Sequence, residues 1–279
     1  MKIRQVKSIV TGRPAIDGAG VHLVRVLSRR NVVDFDPFLL LDAFDSVDPE
    51  DYVKGFPMHP HRGIETVTYL IEGKIEHEDS IGNKGVITSG SCQWMTAGRG
   101  ILHQEMPKPS PRMLGLQLWV NLAAEKKMTA PAYRDITPEL VTKVDSENAS
   151  VAIVTGEYAG QKGGIRGEHI PVTFLDVTVK PGQKWEMPTN PHDNLFVYTM
   201  LGECSFGDKK EADGAKQAIL FTEGDTFCAQ SEKGGRFVLV AGKPLKEPVA
   251  WGGPIVMNTD AELRLAFDEL ERGTFIKHG

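Results

Sequence analysis

Little cysteine, no long apolar run and no basic surplus mark this chain, and each shortfall narrows what it can be. Its three cysteines, Cys92, Cys204 and Cys228, are odd in number and lack paired spacing. That fits a reducing compartment and buried thiols rather than a disulfide scaffold. No segment approaches the roughly 18 consecutive apolar residues of a membrane span. Charges interrupt the N-terminal MKIRQVKSIVTGRPAIDG too often for the apolar core of a signal peptide. A cytoplasmic protein without membrane contact is expected. Lysine and arginine total 32 against 37 aspartates and glutamates, a formal charge of -5. Direct nucleic-acid binding, which needs a basic face, is therefore not expected.

Helical periodicity is scarce as well. The 29 glycines and 17 prolines follow no regular period and punctuate short runs of β type. Such runs occupy 21–27, 65–71, 116–120, 151–154, 173–179 and 237–240. The spacing predicts one helix near the C-terminus, over 259–272. There Thr259 and Glu262 make a capping-box pattern, Leu263, Phe267 and Leu270 an apolar stripe, and Gly273 a stop. TVTYLIEG at 66–73 resembles LFVYTMLG at 195–202, a shift of 129 residues, so two copies of one β unit account for the length. The expected fold is all-β, two tandem barrels with few short helices and one C-terminal helix. The expected domains are 1–131 and 132–279, joined around 126–136.

The remaining signal is a concentration of metal-ligand residues. His59-Pro60-His61 and His103-Gln104-Glu105 each place two such side chains at i and i+2, on one face of a strand. Imidazole nitrogens so placed can meet one ion at about 2.1 Å. Three of the eight histidines lie in these two tripeptides. A single histidine is usually a hydrogen-bonded core or surface residue, but two such pairs flanked by glycine turns point to a metal centre. Shifting by 129 puts Pro188 and Asn190 opposite His59 and His61, and the counterparts of His103 and Glu105 fall near Phe237 and Leu239. The second half is expected to bind no metal and to act as a scaffold or interaction unit.

The pattern Gly55-x3-His59-x-His61-x3-Glu65-x7-Gly73, then Gly90 and Gly100-x2-His103, resembles the two motifs of the cupin superfamily. FPMHPHRGIETVTYLIEGKIEHEDS, QWMTAGRGILHQEMP and LQLWVNL, with DPFLLLDAF upstream and AGKPLKEPV and GPIVMNT downstream, are similar to the pirin family of bicupins over nearly the whole chain. General cupins would use Glu65 as the carboxylate ligand, whereas the pirin resemblance implies Glu105. Strand period agrees, because Glu65 shares a face with His59 and His61 only if the strand runs unbroken through Gly63. The implied ligands are His59, His61, His103 and Glu105, with Glu105 also the catalytic base.

Imidazole and carboxylate ligands with open positions suit a catalytic divalent ion. Fe(II) is the expected cofactor, with nickel, copper, manganese, zinc or cadmium as substitutes. The resemblance implies quercetin 2,3-dioxygenase activity on a small aromatic enolic substrate with O2. It also implies an alternative, a metal- and redox-sensing regulator that binds transcription factors or metabolic enzymes. A monomer is expected. Elsewhere, Gly98-Arg99-Gly100 reads as a tight turn, and His77-Glu78-Asp79 as a solvated hairpin face in preference to a pocket wall. His22, His169, His192 and His278 read as isolated, Trp94 and Met95 as packing, and Phe56 and Met58 as flanks of the site entrance.

Overall fold

Polar residues recur every second position in strands otherwise built of Val, Leu and Tyr, and this alternation gives the main sheets two distinct faces. The computed structural model describes residues 1–164, 169–209, 211 and 213–277. Its elements are almost all strands, with Asp260–Glu271 as the long helix. Thr259 caps that helix and exchanges the capping-box contacts with Glu262, as the spacing predicts.

The chain packs as two compact units. One comprises Pro14–Val32, Phe38–Pro138 and Leu245–Gly279; the other comprises Met1–Arg13, Val33–Pro37 and Glu139–Pro244. A cut near residue 131 follows sequence order, but packing crosses it twice. Strand Ala132–Ile136 pairs with Cys92–Thr96 inside the first unit, so the later part of the 126–136 segment is a sheet strand. Strand Val6–Thr11 joins Gln217–Phe221 of the other unit. Buried Arg4 anchors that N-terminal segment by donating to Thr189 Oγ1 and to the carbonyls of Thr222, Asn190 and Asp193. The C-terminal helix groups with the first unit.

The units repeat one topology. The first has an antiparallel seven-stranded sheet in the order 132–136, 92–96, 64–72, 113–121, 38–46, 21–27, 13–17, and a smaller sheet ordered 56–61, 101–107, 74–79, 84–88. The second repeats the large sheet as 6–11, 217–221, 194–202, 235–242, 172–179, 149–155, 142–145, and the small one as 183–188, 226–231, 205–206. Topology corrects one alignment made from the sequence. Gly235–Gly242 takes the place of Met113–Asn121, so Phe237 and Leu239 are not the counterparts of His103 and Glu105. The strand equivalent to Ile101–Pro107 is Thr226–Ser231, where Phe227 and Ala229 turn inward, and Trp185 and Met187 turn inward from the partner strand. The sequence shift failed there because loop lengths differ between the copies. Among the described residues, aromatic and aliphatic side chains fill the equivalent interior of this half.

Candidate metal centre

Strand Phe56–His61 pairs antiparallel with Ile101–Pro107, and His59 lies opposite His103. The i, i+2 spacing on each strand then brings three imidazoles together, with one ligand nitrogen from each of His59, His61 and His103 within 4.8 Å of the others. Nε2 of His59 and Nε2 of His61 are 3.1 Å apart. Two nitrogens bound at right angles to one ion at about 2.1 Å would be separated by about 3.0 Å.

The hydrogen bonds around these rings say which nitrogens are available. Nδ1 of His59 lies 2.9 Å from the Pro57 carbonyl, and Nδ1 of His61 lies 3.1 Å from the Pro254 carbonyl. A carbonyl only accepts, so each ring carries a proton on Nδ1, and in the neutral tautomer the lone pair of Nε2 faces the other ring. Two facing lone pairs repel unless a cation lies between them. His103 is fully buried, and neither of its nitrogens has a hydrogen-bond partner among the described residues. An unpartnered buried imidazole is costly. Burial, then the charge of His59, brings the His61 pKa down from 6.5 to about 3. Burial followed by the neighbouring histidines depresses His103 well below its ordinary value. Neutral imidazoles with free lone pairs are the protonation state that metal binding requires, so these residues fit a divalent ion.

Glu105 is buried on the same face of its strand as His103. Its Oε1 lies 2.9 Å from the Thr68 hydroxyl, and its Oε2 accepts from Gln117 Nε2 at 3.4 Å. It stands outside the three-imidazole group but lines the same cavity as His59 and His61. Glu65 has a different setting. The first strand ends at His61 and the next begins at Ile64, because Gly63 takes a positive φ of 78° with Val256 O close by, where a Cβ would lie 1.9 Å from it. In the second strand Thr68 turns toward Glu105, so Glu65, three positions earlier, faces the opposite side and accepts from Thr96 Oγ1 at 2.7 Å.

The cavity beside the histidines measures about 630 Å³, within the roughly 300–1,000 Å³ range of small-molecule sites. Phe44, Phe56, Trp119 and Trp251 supply aromatic walls, and Trp119 lies edge-on to His61 with ring centroids 5.0 Å apart. Met58 is exposed and is not among the lining residues, whereas Phe56 is. Trp94 and Met95 are fully buried, as packing residues should be. Gly98 and Gly100 lie in a tight turn closed by Gly100 N to Ala97 O. His22 is exposed and pairs with Asp51, His192 is exposed, and His278 lies outside the described residues.

The reading of 77–79 as a solvated face needs correction. Period two sends His77 and Asp79 inward and leaves Glu78 to pair with Lys84 at the surface. The His77 ring stacks on Tyr133 and lies 5.3 Å from the His103 ring. Its nitrogens meet Gln93 and Asp79. Thr68 and Gln117, which meet the Glu105 carboxylate, and Gln93, which meets His77, were not singled out from the sequence. Their signal was a polar residue at an inward position of an otherwise apolar strand.

Comparison with known proteins gives a consistent result. Residues 20–120 match the family model described as Pirin, and 174–276 match the one described as Pirin C-terminal cupin domain. A pirin-like protein of Caulobacter vibrioides is 41% identical over 278 residues, covering 99% of this chain and 100% of the relative. Pirin of Homo sapiens is 39% identical over 268 residues, covering 94% and 91%. The crystal structure of a quercetin 2,3-dioxygenase from Acinetobacter baumannii superposes with a TM-score of 0.89 at 30% identity, covering 98% of both chains.

Proposed function

Given that the chain belongs to the pirin family of two-cupin proteins, we propose that it is a metal-dependent dioxygenase that opens the central ring of a quercetin-like flavonol with O2 and releases carbon monoxide. The observation that carries this reading is the pair of opposed Nε2 lone pairs, 3.1 Å apart, at the edge of an aromatic-walled cavity. The likeness to a solved quercetin 2,3-dioxygenase supports the substrate class.

His59, His61 and His103 would hold the ion, with Glu105 as fourth ligand. Once bound, a redox-competent divalent ion, Fe(II) by preference, supplies Lewis acidity and one-electron chemistry toward O2. The aromatic walls hold the planar substrate and exclude water. Glu105 takes the proton of the enolic hydroxyl on Oε2, the oxygen held only by the long contact to Gln117, while Oε1 stays with Thr68. Carbonyls of Pro57 and Pro254 keep two imidazoles in the ligand tautomer throughout.

The test is to supply the Fe(II)-loaded protein with quercetin anaerobically and in air. Oxygen-dependent loss of the flavonol with carbon monoxide release is expected. Full metal loading with no consumption across several enolic substrates would overturn the enzyme reading in favour of a metal- and redox-sensing regulator.

A further inference from the structure

One stretch of the cavity wall is charged where the rest is aromatic. Arg25 and Asp42 are cross-strand partners. Arg25 Nε donates to Asp42 Oδ1 at 3.0 Å and Nη2 donates to Asp42 Oδ2 at 2.8 Å, a two-pronged fork. Nη2 also reaches Asp17 Oδ2 at 2.6 Å, and the Asp17 carboxylate is fixed from its other oxygen by Gly18 N at 2.8 Å. All three side chains line the cavity that holds His59 and His61. None of the chemistry assigned to the metal ligands uses them.

We propose that Asp17, Arg25 and Asp42 form a subsite that recognises vicinal, uncharged hydroxyls on an aromatic ring of the substrate. Three observations carry it. The guanidinium is spent on its fork and on Asp17, yet Nη1 donates to no group among the described residues, so it can donate to a ligand oxygen. The Asp17 carboxylate is half exposed and keeps lone pairs free to accept a hydroxyl hydrogen. With Asp42 occupied by the fork, this stretch of wall offers a ligand one carboxylate acceptor, Asp17, and one guanidinium donor, Arg25 Nη1, a pairing that a neutral hydroxyl pair satisfies. A hydroxyl both donates and accepts, and two adjacent hydroxyls satisfy Asp17 and Arg25 together. Asp42 is the positioning residue: buried beneath Arg25, it sets the plane of the guanidinium.

The proposal rests on the flavonol reading for its substrate class, but binding can test it without turnover. Tryptophan-fluorescence quenching of the metal-loaded full chain, under nitrogen, would compare quercetin with the analogue lacking both catechol hydroxyls. The wild type is expected to prefer quercetin by about 10- to 100-fold, since a site built to bond a hydroxyl rejects its deoxy analogue. Asp17→Ala and Arg25→Lys are expected to shrink that preference to within about threefold. Asp17→Ala, at a half-exposed position, keeps the test open should Arg25→Lys disturb folding. Equal affinity of the wild type for both flavonols, or an unchanged preference in folded Asp17→Ala protein, would overturn the subsite. A wild type that discriminates by affinity yet consumes neither flavonol would sink the dioxygenase reading alone.

Discussion

At the residue scale the centre depends on tautomers. Because backbone carbonyls fix Nδ1–H on His59 and His61, their Nε2 atoms face each other 3.1 Å apart, where a shared proton or a metal ion satisfies both. Replacing His61 or His103 by Ala is expected to abolish metal loading and turnover together, as metal analysis by mass spectrometry would show. Glu65 and Glu105 separate on the same measurement. Glu105→Gln should lower metal loading severely, whereas Glu65→Gln should leave it near one ion per chain, because Glu65 faces Thr96 and not the imidazoles. Acid sensitivity follows from the depressed histidines. His61 has a folded pKa of about 3 against an ordinary 6.5, so between those values the unfolded chain binds the proton and the folded chain does not. Metal-free protein should therefore be most stable above about pH 6.5 and lose about 1.4 kcal/mol per pH unit per such histidine as pH falls toward 3. Urea midpoints at pH 7.5 and pH 5 would reveal it, and a pH-independent midpoint would contradict it.

At the element scale, short connections around Gly63 decide where the ligands point. Buried Lys127 spends its ammonium on three neutral oxygens, Gly63 O, Asn121 Oδ1 and Val256 O. Burial pulls its pKa down to about 7, yet the three acceptors match the three hydrogens of the charged form. Arg62, next to the candidate ligand His61, donates to Arg99 O, Glu269 and Phe275 O and lies 4.1 Å from the Phe275 ring centroid. The C-terminal helix and the strand before it thus brace the ligand strand. Lys127→Met is expected to leave buried carbonyls unpaired and cost about 3–5 kcal/mol, measured by urea unfolding. Little of this was legible beforehand. The strands 64–72 and 113–121 and the helix with its Thr259–Glu262 cap show themselves through local periodicity. Lys127 and Arg62 were not singled out, because what buries them is remote in sequence. His77 and Asp79 were misread for a related reason. A charged hairpin looks solvated until the alternation of strand Lys74–Asp79 is set against the strand beside it.

At the scale of the whole molecule, two copies of one topology differ in what fills their interiors. Each copy carries a large and a small sheet of the same order. In one the small sheet brings histidines together; in the other Trp185, Phe206, Phe221, Phe227 and Phe237 pack edge to face in the interior. Metal titration should therefore saturate at one ion per chain, and a second tight site would contradict this division. The repeat and the histidines that cluster were readable because both show as short sequence patterns. The place of the N-terminal strand was not, since pairing Val6–Thr11 with Gln217–Phe221 joins segments about 200 residues apart within one unit. The polar wall of the cavity escaped notice likewise, because Asp17, Arg25 and Asp42 come from three separate strands.

The central claim is that three imidazoles and Glu105, drawn from one copy of the repeat, grip a single divalent ion. Anomalous diffraction at the iron edge from crystals grown with Fe(II) tests it most directly. The expected map has one peak, about 2.1 Å from Nε2 of both His59 and His61, with His103 and Glu105 completing the shell. A map with no peak among these side chains, or with Glu65 in place of Glu105, would contradict it.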